Sequence, residues 1–491
     1  MKTKHLLSFG TLALAACLAA CQKPAAPLEP SLNSITYVVL EGGGPDQGPG
    51  NDNHDANRAA VIEAYGVPDP ASPRQLAYGI QQIRILTRAA DFVAANEVIP
   101  ALDAAERTGL PVWLHIDPLY AWGADGEKSP AEAPPVKFWE HPEMREWREF
   151  PVGDQLPTYI PRQWFTWGPW CSPCPAFPAI GAPKFVELAR IQLCEAVLAP
   201  LAERLEKWHK EGRSHLFAGI NIGWETHMMH FRQPWFVNRD PATITTRHYP
   251  HPEKIGEQAP VDLPIDPGLI GSQLGYASLH WRGWTEEKLR AAAEKEGISR
   301  DEKFRQLIYE AIHDYMAVLA EECNRAGLAP ERVYTHTVAL STVQPADTFA
   351  PPVWTAVNPY STPGFTMDNK GGAKYDLAKL LEEIRTAPGS RGTSFGLVET
   401  YFKLDGKNYV GGKEAFLSEM QSLFEAGATV QVFYGSFPFQ RNTPPDAVAA
   451  VRAWLAGEGA DEYDPSAEYP ESSTTKADSL QSIRLIGKGT E

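Results

Sequence analysis

Two glutamates stand where buried strands should leave the core. Glu225 follows the apolar run 216–222 (Leu-Phe-Ala-Gly-Ile-Asn-Ile), then Gly223 and Trp224; Glu399 follows the run 393–398 (Thr-Ser-Phe-Gly-Leu-Val). Short apolar runs of this kind fill parallel strands buried on both faces. A single glutamate at such a place is more often an ion-pair partner than a reactive group. Two of them, on two strands, can divide the work that cleavage of a glycosidic bond requires. One protonates the leaving oxygen, and the other attacks the anomeric carbon or activates a water. Further polar groups recur at strand ends: Arg88, His115 with Asp117, Asn221, His336, Tyr360 and Tyr434.

Metal chemistry fits less well. Glu225-Thr-His227-Met-Met-His230 is not the helical His-Glu-x-x-His pattern. The acidic loop Asp46 to Asp55 lacks EF-hand spacing. Gly42-Gly43-Gly44 does not open a helix in the dinucleotide-binding pattern. No metal and no cofactor is expected.

The elements that must position these groups read as eight strands: residues 35–40, 83–88, 111–117, 216–222, 332–338, 353–358, 393–398 and 429–434. Amphipathic stretches separate most of them, including one long helix over 183–212 and a two-piece helix over 286–325. Eight strands alternating with helices predict an α/β fold, the (β/α)8 TIM barrel, with the site at the C-terminal strand ends. Two long insertions, 118–182 after strand three and 226–284 after strand four, should rise on the same rim as the glutamates. Both are rich in tryptophan (Trp139, Trp147, Trp164, Trp167, Trp170, Trp235, Trp281, Trp284), which suits platforms for sugar rings. Two long loops on one rim favour a pocket and exo-action.

The arrangement resembles the retaining glycoside hydrolases of clan A, whose acid/base glutamate ends strand four and whose nucleophile ends strand seven. The resemblance covers residues 35–456. It implies Glu225 as acid/base, Glu399 as nucleophile and β-linked glycans as substrate. The clan usually has Asn immediately before the acid/base; here Trp224 stands there and Asn221 lies four residues upstream of the glutamate. By the same resemblance Tyr360 should hydrogen-bond Glu399, and Arg88 (or Arg84) should help keep it ionised. The expected substrate-binding set is Arg88, His115, Asn221, Trp224, His336, Tyr360 and Tyr434. Glu225, shielded against Trp224, should hold its proton to a higher pH than Glu399. The rival readings are a non-catalytic glycan-binding lipoprotein on a barrel scaffold and a metal-dependent hydrolase using His227 and His230.

Composition sets the outer bounds. The 491 residues are 43% hydrophobic, enough for a large core. A net charge of −16 argues against a nucleic-acid partner, whose phosphates demand a basic face. Residues 1–21 carry Lys2 and Lys4 before an apolar stretch ending Leu18-Ala19-Ala20-Cys21, which resembles a bacterial lipobox. Cleavage there leaves Cys21 to be acylated, followed by a Pro-rich tether, 22–30. Multiple acyl chains give firm anchoring. The expected location is the bacterial cell envelope, at the outer membrane or cell surface, with the membrane engaged through that lipid alone. The barrel should span 31–460 and an acidic, polar tail 461–491. Cys171 and Cys174 read as a loop staple or free thiols; Cys194 and Cys323 read as buried thiols.

Overall fold

The structure, a computed structural model, describes residues 35–42, 54–119, 135–157, 177–230, 261–264, 267–338, 346–367, 377–402, 404–405, 407–436 and 443–459, with some positions between 238 and 248. The signal-like segment with Cys21, the tether, Cys171, Cys174 and the tail lie outside the described residues.

Eight parallel strands form the barrel: β1 (Thr36–Gly42), β2 (Arg74–Arg84), β3 (Val112–Asp117), β4 (Phe217–Asn221), β5 (Val333–Tyr334 continued by Thr337–Val338), β6 (Gly364–Met367), β7 (Phe395–Thr400) and β8 (Ala428–Phe433). β1 pairs with β2 on one side and β8 on the other, and pairing continues β2–β3–β4 and β8–β7–β6. The two halves of β5 close the circle, the first paired with β4 and the second with β6. Backbone bonds from Thr335 N to Thr362 O (3.2 Å) and Thr362 N to Val333 O (2.8 Å) tie the join. The fold is the (β/α)8 barrel.

The helices are α1 (His54–Tyr65), α2 (residues 90–108), α3 (residues 183–210), α4 (Tyr276–Trp281), α5 (Glu286–Glu296), α6 (Arg300–Arg325), α7 (Leu377–Thr386), α8 (Gly412–Glu425) and α9 (Pro445–Leu455). α2 and α3 each contain a π turn, Ala94–Val98 and Cys194–Leu198. Each π turn runs into a proline, Pro100 or Pro200, early in the following α segment. Proline has no N–H for the i−4 carbonyl, so the turn before it widens instead of the helix breaking. Arg204 on α3 then binds Asp103 and Glu106 on α2.

Two strands differ from the sequence expectation. β2 begins at Arg74, well before the expected 83–88, because Gly79 and several glutamines break the apolar run that would announce it. The expected sixth strand contains instead a 3-10 turn, Val353–Ala356, started by Pro352. The true β6 opens at Gly364, where a Cβ would collide with the Thr335 carbonyl oxygen. Glycine is required there, and glycine weakens the strand signal.

The barrel interior is filled by Tyr37, Val39, Ala77, Trp113, Ala218, Tyr334, Val398, Val430 and Val432, all fully buried. Trp113 and Tyr334 meet at the centre with ring centroids 5.2 Å apart. Their bulk is accommodated by glycines on facing strands: a Cβ at Gly219 or Gly396 would lie 2.9 Å or less from the Tyr334 ring. The first insertion sends Trp147 into the core, where it packs against His280 and Trp281 at centroid distances of 5.4 and 6.0 Å. Trp147 is therefore a packing residue and not a sugar platform; Trp164, Trp167, Trp170 and Trp235 lie outside the described residues.

Candidate active site

The C-terminal strand ends carry a buried polar cluster. Glu41 comes from β1, His115 and Asp117 from β3, Glu225 from the segment leaving β4, His336 from the join of β5, Thr366 from β6 and Glu399 from β7. Glu225 and Glu399 are 5% and 3% exposed, and both histidines are fully buried. One carboxylate oxygen of each glutamate and one His336 ring nitrogen all lie within 4.8 Å of one another. The structure thus brings together the two glutamates that the sequence singled out.

Glu399 accepts two hydrogen bonds. The Tyr401 hydroxyl donates to Oε1 (2.7 Å) and the Trp224 indole Nε1 donates to Oε2 (3.2 Å). Burial pushes its carboxyl up to about 7, against the pull of the His115 charge and of these two donors. Glu41 adds to the rise. The expected arginine is not among the principal charges acting on Glu399: Arg88 lies beyond β2 and its Nη1 donates to the Thr87 carbonyl (2.9 Å). None of the principal charges acting on Glu399 is a guanidinium, and desolvation wins.

The histidine whose charge acts on Glu399 is His115. Its Nδ1 stands 3.0 and 3.2 Å from the two oxygens of Glu41, which also accepts from Trp113 Nε1 (3.1 Å). Burial opposes a charge on this ring, but Glu41, Glu399 and Asp117 together hold its pKa above the ordinary histidine value. Among the described residues no hydrogen-bond partner meets His115 Nε2. His336, its ring 5.6 Å away, is the opposite case. Burial and the neighbouring His115 charge drive its pKa well down, although the Gly223 carbonyl favours the protonated ring. The neutral ring presents Nδ1 to the Gly223 carbonyl (3.0 Å), and Nε2 accepts from the Thr366 hydroxyl (2.6 Å).

The remaining expected residues are placed as follows. Asn221 sits at the end of β4, its Oδ1 accepting from Gly223 N (3.3 Å) and its Nδ2 3.0 Å from His336 Nδ1. Trp224 contacts Glu399 as a donor, where the sequence placed it as a shield for Glu225. Tyr360 precedes β6, at the opposite end of that strand from the site. Its backbone N–H donates to Asn358 and its carbonyl accepts from Asn324. The tyrosine on Glu399 is Tyr401, two residues along the same chain, where a two-residue period returns side chains to one side. Tyr434 follows β8, its ring 5.6 Å from Tyr401 and its hydroxyl 2.7 Å from Gln82 Nε2, which donates to it.

Sequence reasoning missed Glu41, Gln82, Thr366 and Tyr401. Glu41 carried the same signal as Glu225 and Glu399, an acid ending an apolar run. Gln82 and Glu225 are the two described non-glycine residues with φ in the left-handed region, at 57° and 44°. Such strain clusters at functional sites.

The triad Glu225, His336 and Glu399 has the donor types of a metal site. Within it, the Glu399 oxygens accept from Trp224 and Tyr401, and His336 Nε2 accepts from the Thr366 hydroxyl. The expected metal ligands of the rival reading, His227 and His230, are not members of this group. His227 lies between the rings of Phe177 and Phe349, and His230 Nε2 is 3.0 Å from Asp347.

No protein-family model matches the chain, and no curated protein matches it either. Among solved structures, it is similar to the catalytic domain of β-amylase from Paenibacillus polymyxa. The identity is 10% and the TM-score 0.43, over 88% of this chain and 99% of that one. A likeness at that level assigns no family, and the functional reading rests on the site itself.

Proposed function

We propose that the protein is a retaining glycoside hydrolase acting on β-linked glycans by double displacement. The observation that carries this is the proximity of Glu225 and Glu399, with carboxylate oxygens within 4.8 Å of each other at the ends of β4 and β7. Retaining enzymes hold their carboxyl groups about 5–5.5 Å apart, and inverting enzymes about 6.5–9.5 Å.

In the first step Glu399 attacks the anomeric carbon while Glu225 gives its proton to the leaving glycosidic oxygen, forming a glycosyl ester on Glu399. In the second, Glu225 takes a proton from water as that water attacks the same carbon and releases Glu399. Tyr401 and Trp224 hold the nucleophile's oxygens and stabilise its charge. Because burial raises Glu399 to about 7, the working form is reached as Glu399 ionises while Glu225 holds the proton that it gives to the leaving group. His115 Nε2, which meets no hydrogen-bond partner among the described residues, is assigned to a hydroxyl of the sugar. The two long insertions that leave β3 and β4 on one rim favour exo-action. The lipobox-like segment ending at Cys21 supports a location on the envelope, where external glycans would reach the enzyme.

The test is a mechanism-based label. Protein lacking residues 1–21 is incubated with 2-deoxy-2-fluoro β-glycosides bearing good leaving groups, digested, and mapped by mass spectrometry. A glycosyl adduct on Glu399 supports the proposal; an adduct on another residue overturns the assignment of the nucleophile.

A further inference from the structure

Glu225 holds its carboxyl from a backbone conformation that a glutamate rarely adopts, with φ at 44°. A non-glycine residue there costs on the order of 1–3 kcal/mol and persists only where its surroundings over-determine it. The flanking peptide is fixed on both sides. Thr226 N donates to His336 O and Met228 N to Thr348 O, each at 2.7 Å. Gln273 returns from the second insertion to bind Thr348 Oγ1 (3.0 Å) and pairs with His230. The carbonyl of Glu225 itself is taken by a side chain: His227 Nδ1 lies 2.5 Å from it.

A carbonyl oxygen can only accept, so His227 Nδ1 carries the proton. The ring is fully buried. It is wedged between Phe177 of the first insertion, at 5.6 Å, and Phe349, at 4.7 Å and edge-on. Burial pushes its pKa down to about 4 against the pull of the Glu225 carbonyl, and the nearby His230 lowers it further while Asp347 opposes. The ring is therefore a neutral, immobile donor across the working pH range. The ring is closed off from solvent, with Phe177 and Phe349 packed against it.

We infer that His227 is the positioning residue for the acid/base: its Nδ1–H locks the left-handed turn at Glu225 and so fixes the carboxyl against Glu399. This rests on the reading of Glu225 as acid/base. A shift of about 1 Å in a catalytic group costs on the order of 100-fold in rate. His227→Phe keeps an aromatic ring between Phe177 and Phe349 and removes the donor. His227→Asn keeps an N–H close to the place of Nδ1.

Both variants are assayed on two β-glycosides of the sugar that labels the enzyme, one with a dinitrophenolate leaving group, which needs no proton, and one with an alkoxide, which does. Crystal structures of both are determined alongside. The expected result for His227→Phe is a kcat/KM loss of about 100-fold on the alkyl glycoside and about threefold or less on the dinitrophenyl glycoside, because kcat/KM reports the glycosylation step, in which the acid acts on the leaving group. Its Glu225 should leave the positive-φ region, and His227→Asn should recover most of the rate and the turn. A purely structural role would lower kcat/KM on both substrates alike, and that result overturns the inference. So does a His227→Phe crystal structure with Glu225 unmoved. If the unaltered enzyme hydrolyses neither glycoside, the glycosidase reading fails, and the two crystal structures still decide whether His227 sets the Glu225 turn.

Discussion

The Glu399 carboxyl is in a place that suits chemistry better than stability. Burial lifts it from the ordinary 4.5 to about 7. Below the unfolded value both states are protonated and nothing is lost. As pH rises from about 4.5 to 7 the unfolded chain releases this proton and the native chain keeps it, so stability falls through that window. At 1.36 kcal/mol per unit, the ceiling on this loss is about 3 kcal/mol. Glu399→Gln should therefore stabilise the protein at pH 8 by a few degrees in Tm and not at pH 4, as read by calorimetry, while abolishing turnover. Tyr401 acts in the opposite sense, since its donated bond lowers the Glu399 pKa. Tyr401→Phe should move the acidic limb of kcat/KM toward higher pH. A hydrogen bond to a charged group is worth roughly 1.5–3 kcal/mol, so activity at pH 6 should drop about tenfold or more, with a smaller loss at pH 8. An unshifted limb would show that another group controls it.

At the scale of elements, the barrel depends on large rings from β3 and β5 meeting glycines on β4 and β7. Trp113→Ala removes the largest of these rings and should cost about 3–5 kcal/mol in denaturant unfolding. Gly396→Ala places a methyl 2.6 Å from the Tyr334 ring and should cost about 1–3 kcal/mol by overpacking. The same packing explains what the sequence made legible. β1, β3, β4, β7 and β8 read clearly because their inward and outward faces are both apolar. β2 and β6 did not, because Gly79 and Gly364 are needed for close approach and dilute the run. Glu225 and Glu399 were found because each ends a clear strand. Tyr401 was missed because Tyr360 was assigned to a strand end that the structure does not contain. Glu41 was overlooked because nothing in the linear chain pairs it with His115, which is 74 residues away.

Across the whole molecule, the two insertions are joined over the barrel rim by one buried carboxylate. Glu146 of the first insertion accepts from Trp147 N (3.2 Å), Gly275 N (3.0 Å), Ala277 N (3.1 Å), Ser278 N (2.9 Å) and the Ser278 hydroxyl. Glu146→Ala would leave several buried N–H groups unpaired, at about 1–3 kcal/mol each. Hydrogen exchange should then show α4 losing protection while β1, β3 and β8 keep theirs. Unchanged protection in α4 would mean that the insertions hold their places without this link. These insertions leave the C-terminal ends of β3 and β4, on the rim that carries Glu225 and Glu399. The proposed chemistry of that pair is tested most directly by following, with proton NMR, the anomer first released from an aryl β-glycoside. The close carboxyl pair predicts the β-anomer, formed with retention and only later mutarotating. Release of the α-anomer would contradict double displacement between these two glutamates.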